Sequence, residues 1–456
     1  QEGDEMTPRF GANMARALGG AVALILAAGC GGDAGDAGSM EGTAGAASGS
    51  AANCVQGDDD LSLPEDFCAT VVAEDLGSPR HLEVAANGDL FVAIGGGGGG
   101  PSVVALRDTD GDGEADIQEE WGDQGGTGLL LHDGWLYFAP NDGVLRYPME
   151  EGSLTPSGPP ETIVSGLPSE RSHAAKSLAI DSEGNLYVNI GSPSNTCQEQ
   201  DRQRGSPGMD PCPELDTRAG VWRFDADATG QTQADGDRYA TGLRNTVALR
   251  IHPATGQLYG VVHGRDMLSQ NWPELFDAAY SAENPAEEMV AIDEGDDFGW
   301  PYCYHEYDTD TKVLAPEYGG DGDEVGRCAE MEDPVVAFPG HWAPNDLEFY
   351  TGDVFPERYR AGGFVAFHGS WNRAPEPQEG YNVVFVPFED GQPTGEWEVF
   401  ASGFPEGDVS PGGAEHRPAG VAMGPDGSLY VADDQAGTIW RIVYTAGEDV
   451  GEGGGA

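Results

Sequence analysis

The sequence predicts an all-β protein, a six-bladed β-propeller. Glycine and proline are abundant, 70 and 31 in 456 residues, which disfavours long helices and supplies many turns. A phrase recurs six times: Gly, any residue, Leu or Phe, then an aromatic or β-branched run. Turn signals such as "ANG", "HDG" and "PDG" precede the copies, and alternating runs precede those turns, so each copy reads as a β-hairpin.

The copies are "GDLFVAI" at Gly88, "GWLYFAP" at Gly134, "GNLYVNI" at Gly184, "GQLYGVV" at Gly256, a looser "GGFVAFH" at Gly362, and "GSLYVAD" at Gly427. Partner runs are "HLEVAA", "GLLLH", "KSLAID", "VALRIHP" and "GVAMGP". Similar hairpins spaced by several tens of residues suit radial repetition better than a sandwich. The long gap between the fourth and fifth copies predicts a large insertion there.

Residues 1–30 read as an export signal. Arg9 and Arg16 form a basic start, and Ala17 to Ala28 a short apolar stretch, too short to span a membrane comfortably. The stretch ends at Ala-Gly-Cys30 and resembles a bacterial lipoprotein signal, with Cys30 lipidated. Residues 31–60 are small and polar, a flexible linker. Residues 61–445 form the folded unit, and 446–456 are expected to be a disordered tail. Setting Cys30 aside from seven cysteines leaves Cys54, Cys68, Cys197, Cys212, Cys303 and Cys328, which fall into three local pairs. Three disulfides in an oxidising compartment are expected. Together these features place the chain outside the cytoplasm, in the periplasm or as a cell-envelope lipoprotein, touching membrane only through its anchor.

The charge is extreme: 22 basic residues against 79 acidic, net -57. Such a surface repels nucleic acid and anionic headgroups. It suits solubility in salty surroundings, or a basic partner such as a cytochrome c electron acceptor.

The repeat also places polar residues. Counted back from the turn glycines, Gln124 lies ten before Gly134, His173 eleven before Gly184, Arg244 twelve before Gly256, Arg417 ten before Gly427 and Arg80 eight before Gly88. Equivalent points on propeller blades share one height, so these side chains should converge at a channel mouth. A lone histidine is more often structural, but its place in this ring makes His173 the candidate base, with Lys176 a step away. Arg244 and Arg417 offer fixed positive charge to an anionic ligand.

A second motif is "DTDGDGEADIQE". Asp108, Asp110, Asp112 and Asp116 stand at positions 1, 3, 5 and 9 of a calcium loop, with Gly113 at the bend and Glu119 at position 12. The preceding "SVVALR" reads as strand, so a structural calcium clip between strands is expected, away from the mouth.

Several longer stretches carry a family resemblance. "GLRNTVALRIHPATGQLY" resembles the Gly-x-Arg-Asn-Pro strand of the glucose/sorbosone dehydrogenase family, with Thr246 in the proline's place. These are soluble propeller enzymes that use pyrroloquinoline quinone (PQQ). "HGRD", "DFGWPYCY", "FVAFHGSWNR" and "HRPAGVAMGPDGSLYVADDQAGTIWRI" are similar to further landmarks in the same order, over about residues 70–445. The likeness is to the sorbosone dehydrogenase branch.

The resemblance implies PQQ over the mouth and His173 as catalytic base. Arg244 and Asn245 would contact cofactor and substrate, Arg417 a PQQ carboxylate, and Gln124 would match a glutamine of an early blade. Backbone carbonyls of Gly264 and Arg265 would hold Ca²⁺, with Glu287 or Glu288 near. Ser172 stands where the family has an acid before its base, and Ala419 where it has a second arginine. His368 or Arg373 is expected in place of the family's PQQ-contacting lysine. The implied activity is PQQ-dependent oxidation of an aldose or sorbosone-type sugar by hydride transfer. A calcium-dependent sugar-lactone hydrolase and a non-catalytic calcium-stabilised binding propeller stay open as other readings.

Overall fold

The computed structural model describes residues 61–446 apart from 97–99, 171 and 408. The expected signal, Cys30, the linker with Cys54, and the tail beyond residue 446 lie outside these residues.

Six antiparallel sheets follow one another along the chain as the blades of a propeller. Blade one runs from Pro79–Val84 to Ile117–Trp121, blade two from Gly126–His132 to Glu161–Ser165, and blade three from Leu178–Ile180 to Asp237–Thr241. Blade four runs from Ala248–Ile251 to Val336–Phe338, and blade five from Pro344–Phe349 to Glu398–Ala401. Blade six contains Pro418–Met423, Leu429–Asp433 and Ile439–Tyr444. Its outermost strand is Phe67–Ala73, from the other end of the described chain, with Phe67 opposite Tyr444. This pairing closes the ring and leaves no gap between first and last blades.

The recurring phrase is continuous rather than alternating because each blade is buried on both faces. In blade one, Leu90 and Val92 pack with Ala422, Tyr430 and Ala432 of blade six. Phe91 and Ala93, pointing the other way, pack with Leu129, Leu136 and Phe138 of blade two. Five of the six phrase glycines hold left-handed turns before the second strand, at φ +89 for Gly88, +79 for Gly134, +82 for Gly184, +74 for Gly256 and +80 for Gly427. The loose copy differs. Gly362 lies within the strand, where a Cβ would come 2.3 Å from the Val386 carbonyl oxygen.

The expected insertion lies inside blade four, in two pieces. Residues 263–286 carry the short helices Leu268–Asn271 and Ala278–Glu283, and residues 293–335 carry the hairpin Cys303–Glu306 with Thr311–Leu314. A third excursion, 191–219, leaves blade three. Disulfides Cys197–Cys212 and Cys303–Cys328 staple two of these segments, as the local pairing anticipates. Cys68 is also disulfide-bonded; its expected partner, Cys54, lies outside the described residues.

In every blade the first strand begins, and the second ends, at the same end of the ring. Cross-blade contacts there, such as Ser177 Oγ to the Thr246 carbonyl at 2.6 Å and His263 Nε2 to the Pro344 carbonyl at 2.6 Å, define the mouth. Deeper on the first strands, Arg250 bonds Glu83 at 2.8 Å and also meets Glu348. These three line a cavity of about 280 Å³. Burial, with Glu83 and Asp346 nearby, pushes the Glu348 carboxyl up to about 7 despite Arg250.

A carboxyl raised in this way keeps its proton longer in the folded than in the unfolded chain. Stability is therefore lost as pH rises from the ordinary carboxyl value of ~4.3 towards 7. Glu348→Gln should shrink the fall in Tm between about pH 5 and about pH 8, read by scanning fluorimetry. An undiminished fall would show that this group is not titrating in that window.

Candidate active site

His173 sits just before the first strand of blade three with φ +56, a conformation β-carbon-bearing residues seldom adopt. Two buried cations hold it there. Lys176 Nζ donates to the Pro168 carbonyl at 3.1 Å and the Ala174 carbonyl at 2.6 Å. Arg218 donates to the carbonyls of Gly191 at 2.5 Å, Ser172 at 3.1 Å and Glu170 at 3.4 Å. Burial, reinforced by Arg218, lowers the Lys176 pKa to about 7. Gly191 faces the histidine so closely that a Cβ there would lie 2.6 Å from His173 Cβ.

The imidazole's tautomer follows from its partners. Nδ1 lies 2.8 Å from the Ser192 carbonyl and 3.0 Å from Ser192 Oγ, whose own proton goes to the Ser194 carbonyl at 2.7 Å. Both partners accept, so Nδ1 carries the hydrogen and Nε2 keeps a lone pair. Burial, then the Arg244 charge, holds the ring's pKa well below the ordinary imidazole value. The His173 imidazole is therefore neutral across the physiological range.

Arg244, 4% exposed, lies at the start of blade four. Its Nη2 reaches Asp266 Oδ2 at 2.7 Å and Asn195 Oδ1 at 3.1 Å, Nη1 reaches the Gly264 carbonyl at 2.7 Å, and Nε the Asn195 carbonyl at 3.3 Å. One N–H of Nη1 is left without a partner among the described residues. Asp266 also takes Arg202 Nη2 at 2.9 Å and Asn372 Nδ2 at 2.8 Å. Burial alone would raise the Asp266 carboxyl, but Arg244, His341 and Arg202 outweigh it and hold it well below the usual range. Beside Arg244, Asn245 is buried and its Oδ1 has no hydrogen-bond partner, nor has Thr196 Oγ1.

Opposite, Arg417 donates from Nε and Nη2 to the carbonyls of His368 at 3.1 Å and Gly369 at 2.7 Å. His368 Nε2 meets Asp434 Oδ1 at 2.6 Å, and Arg80 pairs with the same carboxylate. Arg80 lines a cavity of about 170 Å³ with Ser78, Thr127 and Asn141, at the junction of blades one and two. Arg80, His368 and Arg417 form one group around Asp434, and His173 and Arg244 another around Asp266, both at the mouth end of the blades. Gln124 belongs to the same end but is exposed; its backbone N–H donates to Ser102 Oγ at 3.2 Å.

Other expectations are corrected. Arg373, 2% exposed, does not face the mouth as a free cation. It is spent on the carbonyls of Ala282 at 2.7 Å, Gly340 at 3.0 Å and Pro377 at 3.0 Å, and on Glu283 at 2.6 Å. The calcium cradle at Gly264 and Arg265 is not the arrangement found. The Gly264 carbonyl accepts Arg244 Nη1 at 2.7 Å. The Arg265 side chain grips buried Glu317 with two bonds, 2.5 and 3.0 Å. Glu287 accepts the backbone N–H groups of Gly264 at 2.7 Å and Ala343 at 3.1 Å, clipping blades four and five together. Glu288, the other expected acid, is paired with Lys312 at 3.2 Å.

The acidic loop lies where expected, between the third and fourth strands of blade one. Asp108, Asp110 and Asp112 bring their carboxylates within 4.8 Å of one another. Asp116 instead accepts Thr109 N–H at 2.7 Å, and Glu119 sits inside the outer strand, paired across from Ala105. Sequence reasoning missed Asn195, Arg218 and Asp434, and passed over Asp266 although it ends the "HGRD" motif.

The sequence model of the TrAA12-like family matches residues 61–445. The chain belongs to the TrAA12-like family. Among relatives of this TrAA12-like chain, an uncharacterized protein of Borreliella burgdorferi is 28% identical over 206 residues, 45% of this chain and 48% of that one. The PQQ-dependent pyranose dehydrogenase of Coprinopsis cinerea is 27% identical over 248 residues, 45% of this chain and 31% of that protein. The matches therefore span about half, or less, of those relatives. Two solved structures share the TrAA12-like propeller fold. The PQQ domain of the Coprinopsis cinerea pyranose dehydrogenase, in its holo form, has TM-score 0.68 at 21% identity, covering 85% of this chain and 98% of that one. The calcium structure of a Trichoderma reesei family AA12 enzyme has TM-score 0.69 at 19% identity, covering 86% and 99%.

If Lys176 and Arg218 hold the His173 segment, Arg218→Met should free the carbonyls of Glu170, Ser172 and Gly191. Hydrogen exchange of residues 168–176 should then speed up by more than about tenfold, since each charged hydrogen bond is worth roughly 1.5–3 kcal/mol. Exchange in blade five, far from the change, should stay as it is. Unaltered exchange at 168–176 would show the segment is held by something else.

Proposed function

We propose that the chain is a PQQ-dependent sugar dehydrogenase with His173 as its base. The observation that carries this reading is the neutral imidazole of His173, with Nε2 lone pair available, grouped at the mouth with Arg244 and Asp266. Family membership supports the cofactor, and so does the donor set. PQQ is a planar polyanion. Arg417 retains Nη1 without a partner among the described residues, Arg244 retains one N–H, and the Thr196 hydroxyl is buried and unpaired. Arg417, Arg244 and Asn245 would hold it.

When bound, the quinone supplies the two-electron acceptor for a hydride leaving the sugar carbon. His173 Nε2 takes the proton of the hydroxyl on that same carbon. Burial, then the neighbouring Arg244 charge, keeps the ring neutral before the step and hastens release of the proton afterwards, while Asp266 tempers that effect. Arg244 also sets positive charge where negative charge develops on the reacting oxygen. The hydrolase reading asks for free carboxylates at the mouth. Asp266 and Glu287, which would supply them, are committed to Arg244, Arg202 and backbone amides. The two observed disulfides support export to an oxidising compartment.

His173→Ala should keep PQQ, followed by its absorbance, while turnover falls roughly 10²–10⁴-fold, the usual worth of a positioned base. Arg417→Ala should weaken PQQ binding and recover rate with excess cofactor. Wild-type turnover in His173→Ala would remove the base from the scheme.

Calcium is proposed for the Asp108–Asp112 cluster as a structural clip, remote from the reaction. Ca²⁺ should raise the Tm of metal-stripped protein, and Asp108→Asn with Asp112→Asn should abolish that rise while sparing turnover. Coincident melting with EDTA and with Ca²⁺ would leave the clip without a role.

A further inference from the structure

We propose that Trp371 is a stacking platform for a pyranose ring at the rim of the mouth, setting affinity for the sugar. This rests on the sugar-oxidising reading above. Trp371 is 61% exposed, whereas every other described tryptophan, tyrosine and phenylalanine is buried or half-buried. A propeller that tucks its other aromatics away but leaves one indole in water gives up the burial it could have had.

The place of that indole is informative. It lies in the single turn Trp371–Arg373, just after the second strand of blade five, Gly362–Phe367, at the mouth end of the ring. The next residue, Asn372, donates to Asp266 Oδ1 at 2.8 Å, and Asp266 holds Arg244. On its other side, the carbonyls of His368 and Gly369 hold Arg417. Trp371 therefore stands on the segment that links the two arginines assigned to the site.

The segment is also rigid. His368 and Gly369 donate to the carbonyls of Ala343 at 2.9 Å and Trp342 at 2.8 Å. Ser370 Oγ accepts Asn372 N–H at 3.0 Å, and buried Arg373 ties the far end to Ala282, Gly340 and Pro377. An aromatic side chain held at fixed height loses little freedom on binding, which favours recognition.

The occupant follows from the surroundings. Protein docking sites expose contiguous apolar patches of several hundred Å². Trp371 is flanked by Ser370, Asn372 and Arg373, and the other exposed apolar side chains, such as Leu275, Val354 and Val399, belong to other segments. A single exposed flat apolar face beside the polar mouth suits a pyranose, which has an apolar C–H face and a rim of hydroxyls.

The test uses PQQ-loaded enzyme with D-glucose and a small dye acceptor, comparing wild type, Trp371→Ala and Trp371→Phe. Trp371→Ala should raise KM about 3- to 10-fold, as expected for loss of one aromatic contact, with kcat within about twofold. Trp371→Phe should restore most of the affinity, and Tm and PQQ binding should be unchanged in both. Intrinsic fluorescence of the cofactor-free wild type should be altered by glucose, and that change should vanish in Trp371→Phe. An unchanged KM in Trp371→Ala overturns the proposal. So does a variant that is slow only with a basic cytochrome c acceptor, which would make Trp371 a protein contact. A PQQ-loaded wild type that oxidises no sugar overturns the sugar-oxidising reading instead, and the fluorescence arm then decides the platform separately.

Discussion

The carboxylate of Asp266 is the contact on which the mouth depends. It joins Arg244 of blade four, Arg202 of the blade-three excursion and Asn372 of the blade-five segment. Its own backbone N–H is held by Asn195 Oδ1 at 2.8 Å. The ion pairs outweigh the cost of burial, as the depressed pKa records. Removing one partner of such a buried pair typically costs about 3–5 kcal/mol, because the other charge is left uncompensated. Without Asp266, Arg244 would be a buried cation facing mostly neutral carbonyls, and three chain segments would lose their common anchor.

Around that anchor the chain arranges charge so that His173 stays neutral. Arg244 lies near enough to depress it, and Lys176 and Arg218 hold its loop through backbone carbonyls. The excursions that cover this side of the mouth are tied by Cys197–Cys212, Cys303–Cys328 and the buried Arg265–Glu317 pair. Trp300 Nε1 donates to the Asn195 carbonyl at 2.9 Å, linking the blade-four insertion to the same hub. Fixed dipoles and charges of this kind need no reorganisation when a reaction develops charge.

Much of the fold was legible because a propeller writes its repeat into local chemistry. A left-handed turn demands glycine, and a strand buried on both faces reads as an unbroken apolar run. The weakest copy, at Gly362, is the one where glycine serves close packing instead of a turn. Spacing from those glycines also found His173, Arg244 and Arg417. What spacing could not show is which buried charges neutralise one another. Arg373 looked like a site cation but is paired with Glu283 of the blade-four insertion. Arg218 and Asn195 act through backbone carbonyls and amides contributed by distant segments, and no local pattern signals such contacts. The insertion was expected from its length, but its splitting into two pieces within blade four is set by tertiary packing.

This mouth, organised by Asp266 and lined by arginines, is proposed to receive an anionic quinone. Calorimetric titration of the purified chain with PQQ, repeated at low and high salt, tests it most directly. The expected result is saturation at one PQQ per chain, with affinity falling as salt screens the arginine contacts. Absence of saturable binding, or binding indifferent to salt, would contradict it.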